Sequence, residues 1–326
     1  MRSRYLTPIA NRPLITHVLG DLAQAGIEQF IIVSPDRATA ELAEAVAEHG
    51  FDRADVSFIT SDGTRGRTLV ATVREAVFGD AVLAHSGDCL FPGSVAELQE
   101  RFTSGDLDLV LLERGPLAGP SSVCTGDVLP IAPLRLPRDR PEGTAMILGP
   151  ALWPVVCSIS RSSWSVRKLV RAVQAAGHRV AVCETGRHWC YSDSIDQLLA
   201  ANRMLLDALP FDAVAPSGGG NDLQGRVAIS ASARVSRSTL RGPVLIGAEA
   251  VVEDAFVGPY TALGKRSVIR GAEIENAMVL DDAQVLYPGR RLEQSVIGER
   301  GLVSRSYALP TGLRLQVGPD ARVILD

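Results

Sequence analysis

The residues best suited to chemistry stand at Ser86-Gly87-Asp88, where a short apolar run, Ala81 to His85, stops abruptly. The run is too short and too continuously apolar for an amphipathic helix, and it follows a helical pattern, so it reads as a buried strand. In an open α/β sheet, ligands sit beyond the carboxyl ends of such strands. A carboxylate there, with no basic neighbour in the local sequence, suits a divalent cation and, through it, a phosphate. Asp88 is therefore the first candidate metal ligand. The same Gly-Asp pair also serves as a plain turn ahead of the helix start at Pro92 to Ser94, and taken alone that simpler reading is preferred. Cysteines at 89, 124, 157, 183 and 190 show no C-x-x-C spacing, which fits buried thiols in a reducing cytosol rather than a metal–thiolate centre. His17 and His85 read most simply as structural histidines of a helix and a strand.

The elements that must hold this point follow an alternating pattern. Arg4 to Ile15 is irregular and ends in a helix start, with Asn11 placed to cap and Pro13 suited to the first turn. Leu14, Ile15, Val18, Leu19 and Leu22 form one apolar helical face that closes at Gly26. Strands are expected at Gln29–Val33 and Val56–Thr60, and helices at Ala38–His49 and Arg67–Phe78, before the strand that leads to Asp88. A helix at Val95–Phe102 and a strand at Leu107–Leu112 follow. Prolines and glycines then crowd Arg114 to Pro150, which reads as loops with short strands near Val123 and Val128. A helix at Val166–Ala176, a strand at Val180–Glu184 and a helix at Ile195–Leu209, capped by Asp193 or Ser194, complete the pattern. Strands alternating with helices of this length predict a parallel sheet with helices on both faces.

Pro216-Ser217-Gly218-Gly219-Gly220 marks a boundary, and beyond it the grammar changes. Ile229, Val235, Leu240, Ile246, Val252, Val257, Leu263, Ile269, Ile274 and Leu280 recur at steps of about six, six and five residues, the signature of hexapeptide β-helix repeats. Gly247, Gly258 and Gly264 are expected at tight corners. The repeat weakens at Tyr287 to Arg291 and resumes at Leu292, Ile297 and Val303. The expected organisation is an α/β unit over 1–215 and a parallel β-helix over 216–326.

Composition narrows the function classes. The 326-residue chain is 46% hydrophobic and only 5% aromatic, so aliphatic side chains fill its cores. A formal charge of −4 without blocks of like charge gives no footprint for nucleic acid or an acidic membrane surface. No apolar run suits a signal segment or a membrane span, and a cytoplasmic protein is expected.

Several segments together resemble the sugar-1-phosphate nucleotidylyltransferases. Tyr5 to Ile15, Y-L-T-P-I-A-N-R-P-L-I, is similar to the family's P-K-x-L-x-P-I-A-N-K-P, and Ala25 to Pro35 to the strand that follows. Ser86 to Asp88 resembles L-G-D-N, Leu198 to Asp207 resembles L-L-E-A-N-R-x-L-L, and Val257 to Gly264 resembles I-G-P-Y-T-S-I-G. The last pair points to the long form of glucose-1-phosphate thymidylyltransferase, of deoxysugar and antibiotic sugar pathways. The resemblance implies a Rossmann-like mixed-sheet nucleotidyltransferase unit followed by a left-handed parallel β-helix. It also implies a reaction in which a sugar-1-phosphate oxygen attacks the α-phosphorus of a nucleoside triphosphate and magnesium pyrophosphate departs. By position, Arg4 stands at the family's catalytic lysine, Asp88 at a metal carboxylate, and Gly66, Gly87, Asp139 and Arg140 at substrate contacts, with Mg²⁺ as cofactor. Gly66 also reads as part of a plain loop, and Asp139-Arg140 as part of a proline-rich surface loop.

The pattern is also broken. The family opens with a strand and the loop L-A-G-G-x-G-T-R, whose amides cradle a triphosphate; this sequence begins after it. Loss of that first, central strand leaves its neighbours with unpaired edges unless another segment fills the gap. Arg4 for lysine keeps charge but changes shape and reach. Tyr191 stands where the second metal carboxylate is expected, and Ser162 to Lys168 replaces an acidic run. Three readings result: a family enzyme impaired in or diverged from the family reaction; a non-catalytic relative that binds a sugar nucleotide or pairs with an active paralogue as a regulatory or scaffolding subunit; and an acyltransferase working from the β-helix, made remote by the lack of any histidine there. Self-association into a homo-oligomer is expected, because stacked coils expose ends and flat faces.

Overall fold

The computed structural model describes residues 3–51, 56–61, 80–114, 123–124, 145–159, 165–185, 188–192, 194–208 and 220–305. The chain opens with a 3₁₀ turn, Arg4–Leu6, and a tight hairpin of β1 (Pro8–Ile9) and β2 (Arg12–Pro13). Ala10 and Asn11 form its two-residue tip with φ of 45° and 62°, the left-handed backbone such hairpins require. Helix α1 (Leu14–Gln24) then packs on β3 (Phe30–Pro35), α2 (Asp36–Glu48) and β4 (Val56–Ser61), where β3 and β4 pair in parallel. Asn11 does not cap α1. Pro13 occupies that position without a side-chain hydrogen bond, and the Asn11 side chain is engaged elsewhere, as described below.

A second sheet contains β5 (Val82–His85), β7 (Leu109–Arg114), β8 (Val123–Cys124), β9 (Ala145–Leu148) and β10 (Val180–Thr185), in the order β5-β9-β7-β10-β8. Between β5 and β7 in sequence lie β6 (Cys89–Leu90) and α3 (Ser94–Ser104). The alternating pattern predicted a parallel sheet, but the sheet is mixed: β7 and β10 are parallel, whereas β9 runs antiparallel between β5 and β7. The reason is Ala145–Leu148, a four-residue buried apolar run inside the proline-rich stretch that was expected to be loop. Its side chains alternate between two cores, as period-2 geometry demands. Met146 and Leu148 join Leu109, Leu111, Val180 and Val182 against α4 (Trp153–Ser158) and α5 (Val166–Ala175), while Ala145 and Ile147 join Val110, Leu112 and Ala181 on the α3 side. Helices therefore cover both faces, as expected. A separate short ladder joins β6 to β11 (Trp189–Cys190), and α6 (Ile195–Asp207) follows. The expected helix at Arg67–Phe78 and strand near Val128 lie outside the described residues.

From Asp222 to Ser304 the chain is a parallel β-solenoid. Its aliphatic residues stack in three columns. Val235, Val252, Ile269, Val285 and Val303 are in register, as are Leu240, Val257, Ile274 and Leu292. The third column runs Ile229, Ile246, Leu263, Val279 and Ile297. Leu280 was expected in that column. It is displaced because Leu263 pairs with Val279, one position short of the seventeen-residue step that separates Ile246 from Leu263. The stacking glycines are required by close approach of the next coil. A Cβ on Gly264 would lie 2.7 Å from the Asp281 backbone nitrogen and 2.8 Å from the Leu280 carbonyl carbon.

The α/β part and the solenoid are joined through one buried amide. Asn202 of α6 is 0% exposed. Its Oδ1 accepts from Ala10 N–H at 3.1 Å, and its Nδ2 donates to the Tyr260 carbonyl at 3.0 Å. Asn11 Nδ2 donates to the Leu263 carbonyl at 2.6 Å, and Arg203 Nε donates to Asn276 Oδ1 at 2.8 Å. The segments P-I-A-N-R-P, L-L-A-A-N-R and V-G-P-Y-T-A-L-G thus meet at one joint.

Two stability outcomes follow. Gly264→Ala forces backbone against backbone and should cost about 1–3 kcal/mol, read as a lower urea midpoint with an unchanged slope. Asn202→Leu strands two backbone groups, the Ala10 N–H and the Tyr260 carbonyl, at about 1–3 kcal/mol each; hydrogen exchange at the Ala10 and Tyr260 segments should rise before that of the solenoid columns.

Candidate active site

The loop that leaves β5 is shaped by Gly87, whose φ of +77° lies in the left-handed region that glycine adopts without steric cost. The Tyr5 ring lies directly against it, 3.4 Å from where a Cβ would stand. Asp88 is then pinned from the opposite side of the chain, since Tyr191 N–H donates to its carbonyl at 2.8 Å. This bond continues the β6–β11 ladder, in which Cys89 faces Cys190.

The Asp88 carboxylate is largely covered, with 13% side-chain exposure, and Arg4 Nη1 stands 3.2 Å from its Oδ2. Arg4 is 47% exposed, so its guanidinium can exchange this partner for an incoming anion. Among the described residues, Oδ1 accepts only a thiol hydrogen bond from Cys89, at 3.6 Å. The Cys89 thiol is pushed well up, first by its hydrogen bond with Cys190 and then by burial, so it remains a protonated donor. Among the described residues no three His, Cys, Asp or Glu side chains converge as a metal cage. Magnesium bound with a triphosphate takes only one or two protein carboxylates, and Asp88, with Oδ1 lightly engaged, fits that minimal role.

The structure thus brings together three of the residues singled out in the sequence, Arg4, Gly87 and Asp88. Gly66, Asp139 and Arg140 lie outside the described residues, as does Asp193. Tyr191 packs edge-on against Trp189, and Ser165, in the segment that replaces the acidic run, caps α5 by accepting from Lys168 N–H at 3.3 Å. Two features carried no readable sequence signal. Tyr5 as the wall of the Gly87 turn, and the Cys89–Cys190 pairing, both depend on contacts between distant segments.

Two histidines near the site are structural. His85 Nδ1 accepts from Gly87 N–H at 2.9 Å, and its ring stands edge-on to Phe91. Burial lowers its pKa to about 4, partly opposed by the Asp88 charge. His17 Nε2 lies 2.7 Å from the Ile9 carbonyl, and burial lowers its pKa to about 4 as well. Both are neutral at pH 7, and the unfolded chain binds their protons below about 6.5 while the folded chain does so only near 4. Stability should therefore fall as pH drops from about 6.5 towards 4, with a slope of up to about 1.4 kcal/mol per pH unit for each group. Urea titrations across that window should show the slope flattened in His17→Gln/His85→Asn, whose amides keep the same hydrogen-bonding atoms.

No protein-family model matches the chain. Among curated proteins it is 27% identical over 331 residues to a glucose-1-phosphate thymidylyltransferase of Streptomyces griseus, covering 98% of this chain and 93% of that protein. A glucose-1-phosphate thymidylyltransferase of Streptomyces antibioticus is 23% identical with the same coverage. The low-salt glycan biosynthesis nucleotidyltransferase Agl11 of Haloferax volcanii is 24% identical over 99% of the chain and 94% of its own length. A crystal structure from Bacillus anthracis, assigned as a glucose-1-phosphate thymidylyltransferase and solved with sucrose, superposes with a TM-score of 0.50 at 14% identity. It covers 64% of this chain and 89% of its own and shares its fold. A mixed α/β unit with Asp88 at a strand tip, a parallel solenoid behind it, and similarity over nearly the whole length to these proteins make the chain similar to sugar-1-phosphate nucleotidylyltransferases.

Proposed function

We propose that the chain binds a nucleoside triphosphate with its magnesium and a sugar-1-phosphate at the Arg4–Asp88 pair, and transfers the nucleotidyl group more slowly than ordinary family enzymes. The observation that carries this reading is one half-exposed guanidinium beside one largely covered carboxylate, at the carboxyl end of β5. Nucleotidyl transfer is an in-line displacement, so it needs positioning and charge neutralisation more than covalent help. Arg4 supplies a cation that turns from Asp88 to a phosphate oxygen. Asp88 would hold the magnesium, which neutralises charge on the departing pyrophosphate. Gly87, having no side chain, leaves room for a ligand to approach the backbone.

The reduced rate follows from the donor count. In comparable roles, each missing preorganised donor costs about 10²–10³ in turnover, and the described site offers one cation where a triphosphate calls for several. Glucose-1-phosphate and dTTP are the first substrates to test, since two relatives are named for that pairing.

Pyrophosphate release from dTTP and glucose-1-phosphate, measured on the full chain with magnesium, should proceed below about 1 s⁻¹, the low end of enzyme turnover. Asp88→Asn should lower that rate by about 10²-fold or more while leaving the urea midpoint close to the parent's. Turnover at ordinary family rates would refute the impairment. Nucleotide binding without turnover would instead support a regulatory subunit.

A further inference from the structure

Four of the five cysteines stand in facing positions across antiparallel ladders, Cys89 opposite Cys190 and Cys183 opposite Cys124. The first pair has the geometry of a closable bridge. In an antiparallel ladder, hydrogen-bonded and non-hydrogen-bonded residue pairs alternate. Tyr191 N–H donates to the Asp88 carbonyl at 2.8 Å, so Asp88 and Tyr191 form a hydrogen-bonded pair, and the next pair along, Cys89 and Cys190, is of the other kind. Facing side chains are closest there, with Cα atoms about 4.5 Å apart, and a disulfide spans Cα separations of about 4.4–6.8 Å. Both cysteines are reduced, and the Cys89 and Cys190 thiols share a hydrogen bond. The ladder also has an outside brace, since Trp189 Nε1 donates to the Gln197 carbonyl of α6 at 2.6 Å. Cys89 is 0% exposed, whereas Cys190 is half-buried. A reagent from solvent therefore reaches one sulfur of the pair first.

We infer that Cys89 and Cys190 are a modification site: a reversible disulfide, closed across the β6–β11 ladder by a low-molecular-weight disulfide that enters at Cys190. The Cys190 thiolate attacks one sulfur of the small disulfide, which forms a mixed disulfide and expels one small thiolate. The Cys89 sulfur then attacks Cys190 Sγ and expels the second. The two protein thiols give up two protons and two electrons, and the small disulfide takes them up and departs as two small thiols. Cys89 holds its proton firmly, so the second step sets the rate. The ladder favours that step by making it intramolecular, between sulfurs already in contact. Closure ties the residue next to Asp88 covalently to the strand that leads into α6, and it removes the S–H that Asp88 Oδ1 accepts. This inference rests on ladder register and thiol exposure and stands apart from the outcome of the nucleotidyl-transfer assay.

The test equilibrates the native full chain with oxidised glutathione, blocks the remaining thiols by alkylation and maps the bridges by peptide mass. A Cys89–Cys190 bridge should form, with the loss of those two thiols, and dithiothreitol should reopen it. Exchange of the Tyr191 amide should slow by about tenfold or more in the bridged protein, because the two strands can no longer part, while solenoid amides report that the fold is unchanged. Cys190→Ser should abolish the bridge and leave Tyr191 exchange indifferent to glutathione, and Cys157→Ser should alter neither result. A native chain that forms no bridge would overturn the inference, as would a glutathione adduct that persists on Cys190 or a bridge from Cys89 to Cys183 instead. A Cys89–Cys190 bridge that forms only in urea would also overturn it, since the folded ladder would then not be what brings the sulfurs together.

Discussion

The buried amide of Asn202 is the constraint through which the rest of the molecule is placed. A fully buried carboxamide is tolerated only when both its ends are hydrogen-bonded, and here the two partners belong to different parts of the fold. The Ala10 N–H fixes the tip of the amino-terminal hairpin, and the Tyr260 carbonyl fixes a corner of the solenoid. Six residues before Ala10 stands Arg4. The hairpin and the 3₁₀ turn ahead of it are short, so anchoring the tip limits where Arg4 and Tyr5 can reach. The Arg4–Asp88 contact and the Tyr5–Gly87 packing are downstream of that anchor. The solenoid in this chain is thus a fixed wall against which the site's amino-terminal segment is braced.

The same logic changes the meaning of the motifs. Three of the segments that carry the resemblance meet at this joint, where the Asn11 and Asn202 side chains bond to backbone and Arg203 bonds to Asn276. They report on how the α/β unit and the solenoid fit together and carry little information about turnover. The residues proposed for the site form a smaller set, and there the sequence departs from the pattern it resembles. Arg4 stands where the resemblance implies a lysine, and Tyr191, where it implies a second carboxylate, donates a backbone hydrogen bond to Asp88. Resemblance at the joint and departure at the proposed site are compatible, because the two are encoded at different positions.

Legibility in the sequence followed the range of the interactions. The solenoid columns were readable because each coil repeats a local rule, and only the shortened step after Leu263 moved the expected position from Leu280 to Val279. Helices α1, α3, α5 and α6 were readable from one-faced apolar spacing. Strand β9 was missed because Ala145–Leu148 is four residues long and sits in a proline-rich stretch, where local composition outweighs a short apolar run. Asn11 was assigned to a cap on local grounds, but its partner is 252 positions away. Asp88 stood out by a strand-end rule as a candidate, whereas its partner Tyr191 and the cysteine pair beside it are set by a two-residue ladder between distant segments.

The separation of the β3–β4 pair from the five-stranded sheet, among the described residues, bears directly on the electrostatics at Asp88. Strand ends collect ligands because adjacent strands present amides and side chains together, and among the described residues β3 and β5 are not adjacent. Between them lies a cavity lined by Ile31, Val33, Leu83, His85 and Gly87, which extends along β5 to the turn that holds the carboxylate. A charge pair open to water gains much less than the same pair in a dry site. Covering the cleft would lower the local dielectric and strengthen the attraction of Arg4 and of any magnesium for phosphate oxygens. For the proposed site, the donor count and the openness of the sheet therefore act in the same direction, since both would weaken the hold on a triphosphate.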